Sequence, residues 1–141
     1  MISKKKEFVV GFDYGTKKIG VAVGNIFTKI TTPLFNLEPI KQERMFRKLD
    51  DIVEEWKPFM FVIGMPELED KSHHPLKTLI KNFKLGLENR YDRPVTLINE
   101  RLTSHEAYKM KRLYPKNMSL DAIAASLILD TWLTDRTTPT D

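Results

Sequence analysis

The strongest constraint in this chain is the segment Lys18 to Asn25, where Ile19, Val21 and Val23 alternate with Gly20, Ala22 and Gly24. A period of two marks a β-strand, which turns successive side chains to opposite faces. Glycine weakens a strand interior, so glycines at alternate positions point to close approach of another backbone or a ligand. Whatever the fold, something must come up against that face. The preceding segment, Glu7 to Asp13, sets Phe8, Val10 and Phe12 on one face and Val9, Gly11 and Asp13 on the other. Both faces look covered. Gly15-Thr16-Lys17 supplies the turn between these two strands.

A short third strand is expected around Leu34 to Leu37. Met45, Leu49, Ile52, Val53 and Trp56 then form one stripe of an amphipathic helix that Pro58 ends. Phe59 to Ile63 is a continuous apolar run bounded by Gly64 and Pro66, the pattern of a buried strand. Pro75 suits a first helical position, and Leu76, Leu79, Ile80, Phe83 and Leu87 repeat the helical stripe. Pro94 to Asn99 reads as a further buried strand. Thr103 with Glu106 makes a capping box for a short basic helix reaching about Leu113. Ser119 caps a last helix, Leu120 to Leu133, apolar almost all round and therefore buried. Trp56 and Trp132 fall on apolar stripes and read as core.

The order β-β-β-α-β-α-β-α-α is an antiparallel meander followed by βα crossovers. It predicts an α/β fold, a mixed five-stranded sheet with helices on both faces. The 141 residues suit one domain over 1–133, with a polar tail over 134–141. A domain of this size buries roughly two thirds of its unfolded surface, enough for a core with a cleft.

Several function classes are excluded by composition. The chain has no cysteine, which removes disulfide scaffolds, zinc ribbons and thiol nucleophiles. The longest apolar stretch, Ala122 to Leu129, is far short of a membrane span, and the N-terminus shows no signal-peptide pattern. A soluble, cytoplasmic protein without a membrane partner is expected. The net charge of +4 is only mildly suited to nucleic acid. It is unevenly laid out: Lys77 to Arg93 and Arg101 to Lys116 each carry five Lys or Arg, against two acids and one. Two basic helices near one sheet edge would form a groove for RNA.

Three acids stand at the ends of elements: Asp13 closing the first strand, Glu100 after the Pro94–Asn99 strand, and Asp121 in the first turn of the last helix. Parallel strands ending at one sheet edge, followed by a helix starting there, would bring them together. Oxygen ligands without His or Cys are what Mg²⁺ or Mn²⁺ prefers, and such ions can drive phosphodiester hydrolysis. Each acid also has an ordinary reading, as a turn residue, a solvated carboxylate or a partner of the helix dipole. Spacing alone does not choose between these. Lys17, Lys18 and Arg101 flank the acids and either contact phosphates or have an ordinary role, solvated for the lysines and a structural partner of a nearby carboxylate for Arg101, and Thr16 either bonds a phosphate or closes the turn. His73 and His74 read as surface residues, or at most as a general acid at the periphery of a metal site.

The local motifs add to this. Gly11-Phe12-Asp13-Tyr14-Gly15-Thr16-Lys17-Lys18-Ile19-Gly20-Val21-Ala22-Val23 resembles the opening motif of the YqgF family, Holliday-junction-resolvase-like proteins also described as pre-16S rRNA nucleases. Glu100-Arg101-Leu102-Thr103 with Glu106-Ala107 is similar to that family's second motif, and Asp121-Ala122-Ile123-Ala124-Ala125 to its third. Phe61 to Pro66 matches its central strand. The resemblance implies an RNase H-like fold in which Asp13, Glu100 and Asp121 bind Mg²⁺ or Mn²⁺ and catalyse hydrolysis. Gly15, Thr16, Lys17, Lys18 and Arg101 would bind substrate. The implied partner is structured RNA, notably precursor 16S rRNA, with structured DNA as the alternative substrate and a monomer or weak dimer as the working form.

Two departures from the family pattern stand out. Asn99 occupies a position where the family usually has Asp, so it is either a weaker metal ligand or a residue behind one. The loop Glu67 to His74 lacks the family's glycine, which puts substrate handling there in doubt. Two further readings remain. Asp-x-Gly-Thr also resembles the phosphate loop of actin-like and sugar-kinase folds, which need a second such domain. A non-catalytic module that binds RNA or a protein factor would tolerate both departures.

Overall fold

The computed structural model describes residues 6–66, 75–100 and 104–135. Its centre is one five-stranded sheet in the order β3-β2-β1-β4-β5. The strands are β1 (Phe8–Asp13), β2 (Ile19–Asn25), β3 (Thr31–Leu37), β4 (Met60–Pro66) and β5 (Val95–Glu100). The first three form the antiparallel meander, while β4 and β5 run parallel to β1. The mixed α/β sheet expected from the sequence is the one observed.

The helices are α1 (Gln42–Trp56), α2 (Pro75–Tyr91), α3 (Ser104–Lys111) and α4 (Leu120–Asp135). Helices α1 and α2 cover one face. Met45, Leu49 and Ile52 of α1 and Ile80, Phe83 and Leu87 of α2 pack with Val10, Phe12, Val21, Phe61 and Ile63. Helix α4 covers the other face, where Ala125, Ile128 and Leu129 meet Val9, Ala22 and Val62. Helix α3 packs on α4 through the buried Ala107. Trp56 and Trp132 are half-buried at the margins of the two cores.

Helix α1 stops at Trp56 because Lys57 turns left-handed, with φ 46°, and its N–H closes the last turn on Val53 O at 2.9 Å. Pro58 disfavours a right-handed helical conformation in the residue before it. The two helices on this face are tied together at Asp50. Arg90 donates through Nε and Nη2 to its two oxygens at 2.8 and 2.7 Å, and Tyr91 OH donates at 2.7 Å. The Arg90 hydrogen bonds hold the Asp50 carboxyl down at about 2.

The structure changes four expectations. Strand β3 begins at Thr31 instead of Leu34, because Pro33, which cannot donate a ladder bond, sits on an edge strand where that is tolerated. Helix α4 continues through Asp135, beyond the expected end at Leu133. Helix α3 ends at Lys111, short of Leu113. Helices α2 and α3, expected to flank one groove, lie on opposite faces of the sheet, since α2 packs in the α1 core and α3 on α4. The proposed cap Thr103, the loop 67–74 with His73 and His74, and the tail 136–141 lie outside the described residues. Among those described, no helix is long and apolar enough to cross a membrane.

Candidate active site

The small face of β2 receives a backbone. A Cβ added at Gly20 would lie 1.9 Å from the carbonyl oxygen of Asp121 and 2.8 Å from Ala122 N. The first turn of α4 therefore rests directly on β2 where glycine leaves room. Two neighbouring strands make similar room further along the helix. A Cβ at Gly11 would meet Leu129 Cγ at 2.5 Å, and one at Gly64 would meet Ile128 Cδ1 at 2.3 Å. Small residues on three adjacent strands thus form the bed of α4.

That seating brings Asp13 and Asp121 together. Asp13, the last residue of β1, is the lateral partner of Gly20 on β2 and of Gly64 on β4. Lateral partners share a face, so Asp13 stands on the α4 side, one strand from the glycine on which the Asp121 turn sits. Both carboxylates are half-buried at the edge where the parallel strands end. The N-terminal end of α4, which carries the positive end of the helix dipole, opens on the same edge and favours negative charge there.

Glu100 closes β5 with its backbone opposite Pro66. It follows Ile98, a member of the α4-side core, by two residues, so strand alternation assigns position 100 to the same face as Asp13. Its side chain lies outside the described set, as does the whole of Arg101. Among the described residues no group of three or more His, Asp or Glu side chains converges tightly enough to hold a metal. Asn99 is not brought in. It is exposed and in register with Met65, which packs in the α1–α2 core on the opposite face.

The loop leaving Asp13 carries the other expected residues. Tyr14 turns into the α1–α2 core against Phe83, and burial pushes its phenol pKa up, so it stays protonated. Gly15 meets the turn closely, since a Cβ there would lie 2.6 Å from the carbonyl oxygen of Lys18. Thr16, Lys17 and Lys18 are exposed beside the carboxylate edge. Oxygen-only donors, two carboxylates at one edge and exposed lysines nearby fit a hard divalent cation and a phosphate backbone.

One residue here was not singled out by sequence. Asn36 on β3 is the lateral partner of Gly20, and its Nδ2 donates to Asp121 Oδ2 at 3.4 Å. Its Oδ1 accepts a short hydrogen bond from Ser119 Oγ, which in turn accepts from Ala122 N at 2.9 Å. Ser119 was expected as a helix cap and is one. Its link to Asn36 had no signal, because an Asn near the end of an edge strand ordinarily faces water.

Comparison with known proteins identifies the family and the fold. A family model described as "RuvX: Holliday junction resolvase" matches residues 7–135. A protein from Paraburkholderia xenovorans, named "Putative pre-16S rRNA nuclease", is 40% identical over 126 residues, covering 89% of this chain and 86% of its own. One of the same name from Blochmanniella pennsylvanica is 36% identical over 132 residues, covering 89% and 92%. Among solved structures, Thermus thermophilus RuvC superposes with a TM-score of 0.60 at 14% identity, covering 92% of this chain and 95% of that one. The fowlpox virus resolvase, solved with Holliday junction DNA, gives 0.59 at 14% identity and 93% and 99% coverage. The fold is of the RuvC-like, RNase H-like kind.

Proposed function

The chain belongs to the RuvX Holliday junction resolvase family, and on that premise we propose that it is a divalent-metal-dependent nuclease that hydrolyses phosphodiester bonds in structured RNA. Its substrate is the 5′ end of precursor 16S rRNA, in the cytoplasm. The observation that carries the reading is the seating of the Asp121 turn on Gly20, one strand from Asp13. Carboxylates repel one another, and two of them at one half-buried edge call for a cation. The names of the relatives support the RNA substrate.

In this reading Asp13, Asp121 and Glu100 hold Mg²⁺ or Mn²⁺ through oxygen. The bound ion would supply an activated water and neutralise charge on the scissile phosphate. Asp13 offers its carboxylate from a rigid strand end, and Asp121 from a helix start wedged against the sheet. Thr16, Lys17 and Lys18, on the turn closed by Gly15, contact substrate phosphates together with Arg101, which positions the backbone without reading sequence.

The test is cleavage of a labelled 16S precursor with Mg²⁺ or Mn²⁺. Asp13→Asn and Asp121→Asn should each abolish cleavage while leaving the metal-free Tm unchanged or raised, since carboxylate repulsion is relieved. Full activity in the Asp13 variant overturns the reading. Mn²⁺ should also raise the wild-type Tm, as binding to the folded state alone requires.

The family description favours a second reading, cutting of a four-way DNA junction. Symmetric strand cutting needs two copies of the site. A four-way junction in the same assay, with the mass of the complex measured, separates the two.

A further inference from the structure

Strands β2 and β3 change register in the middle. Gly24 pairs with Thr31, Val23 with Thr32 and Ala22 with Pro33, but Val21 pairs with Phe35 and Gly20 with Asn36. Leu34 is the extra residue of a β-bulge. Its effect follows from strand alternation, because a shift of one residue exchanges the faces of everything beyond it. Without the bulge, Phe35 would stand opposite Gly20 and Asn36 would turn to the α1–α2 side. With it, Leu34 and Phe35 both pack in the α1–α2 core, and Asn36 comes to the α4 side.

Asn36, Gly20 and Asp13 then form one lateral row across β3, β2 and β1, with the Asp121 turn seated over the glycine in the middle. The hydrogen bonds have a single consistent direction. Asp121 Oδ2 can only accept, so the amide atom facing it at 3.4 Å is the donor Nδ2. Asn36 Oδ1 is then turned to Ser119, whose hydroxyl donates to it while Oγ accepts from Ala122 N.

From this row we infer that Asn36 is a positioning residue for the Asp121 carboxylate: it engages Oδ2 and so presents Oδ1 as the oxygen offered to the cation. The inference rests on the metal-nuclease reading above and adds a residue to it. Holding a carboxylate from behind fixes its rotamer before the ion arrives. Outer partners of this kind commonly change metal affinity or activity by about 10–100-fold when removed. The bulge at Leu34 is what delivers Asn36, so the device is built into the strand pairing.

The test titrates Mn²⁺ calorimetrically into the full chain as wild type, Asn36→Ala, Ser119→Ala and Asp121→Asn, with metal-free Tm and cleavage kinetics alongside. Ser119→Ala is the stability control, since it removes the helix cap and leaves the Asn36 amide beside Asp121. Asn36→Ala should weaken Mn²⁺ binding about tenfold and lower kcat, with KM for RNA within twofold of wild type. Ser119→Ala should lower Tm with a smaller loss of Mn²⁺ affinity. Equal losses of Mn²⁺ affinity in the two variants would make Asn36 merely structural and overturn the inference, as would an unchanged affinity in Asn36→Ala. If the wild type binds no Mn²⁺ that Asp121→Asn removes, the nuclease reading fails, and this inference fails with it.

Discussion

Replacing Gly20 by Ala is the most direct test of how the site is built. The added Cβ would lie 1.9 Å from Asp121 O and 2.2 Å from Asp121 C. Non-bonded heavy atoms settle near about 3.5 Å, so the first turn of α4 must retreat by roughly 1.5 Å. The obstacle is backbone, which cannot rotate away as a side-chain tip can. Overpacking costs about 1–3 kcal/mol, and a rigid obstacle puts this case at about 2–3. For a domain of this length that lowers Tm by roughly 6–12 °C. The functional loss should be larger in proportion, because a displacement of about 1 Å at a reacting centre costs about a hundredfold in rate. The assay is thermal unfolding by circular dichroism in EDTA, followed by cleavage at a temperature where the variant is folded. Gly24→Ala is the control, since its Cβ would meet side-chain tips, Leu133 Cδ1 at 3.3 Å and Leu129 Cδ1 and Thr31 Cγ2 at 3.4 Å. A Gly20→Ala protein melting with wild type and cleaving at the wild-type rate would refute the seating of α4 on β2.

Three further outcomes are expected. Ser119→Ala removes the N-cap of α4 and should cost about 1 kcal/mol, roughly 3 °C in Tm. Asp50→Ala breaks the tie between α1 and α2, a half-exposed pair, and should lower Tm by about 2 °C at pH 7. Because the folded Asp50 carboxyl is lowered to about 2, its stabilisation is present above the ordinary carboxylate pKa and lost as pH falls from about 4 to about 2. The urea midpoints of wild type and variant should converge over that window. Asp130 has the opposite sign: burial raises its pKa although Thr31 Oγ1 donates to it at 2.8 Å. Its charge therefore costs stability once pH exceeds the folded value. Asp130→Asn should raise Tm by about 1–2 °C at pH 7, with the gain vanishing in acid.

Much of the fold was legible because its signals are local. The alternation of Gly20, Ala22 and Gly24 announced a close approach, and at Gly20 the approach is the backbone of α4. Ser119 read as a cap and caps. The helical stripes of α1 and α2 named the residues that pack between those helices and the sheet, except Leu79, which is exposed. Asp13 and Asp121 stood out because a carboxylate at the end of a covered strand or at the start of a buried helix needs a reason.

What the residues could not say was which side of the sheet each element takes. Alternation assigns neighbours to opposite faces but does not say which face is which, and it is the pairing of Asn99 with Met65 that sets it on the face away from Asp13. Amphipathic stripes do not choose between two apolar faces, so α2 and α3 looked like companions and are separated by the sheet. Register is a non-local property, decided by the sum of pairings along two strands, and one inserted residue reverses it. The sequence by itself determined the elements, their order, the glycine bed and the acids at the element ends, since these depend on neighbours within a few residues. Only the tertiary structure decided that a bulge at Leu34 turns Asn36 toward Asp121, and that one helix turn on one glycine brings two distant aspartates to a common edge.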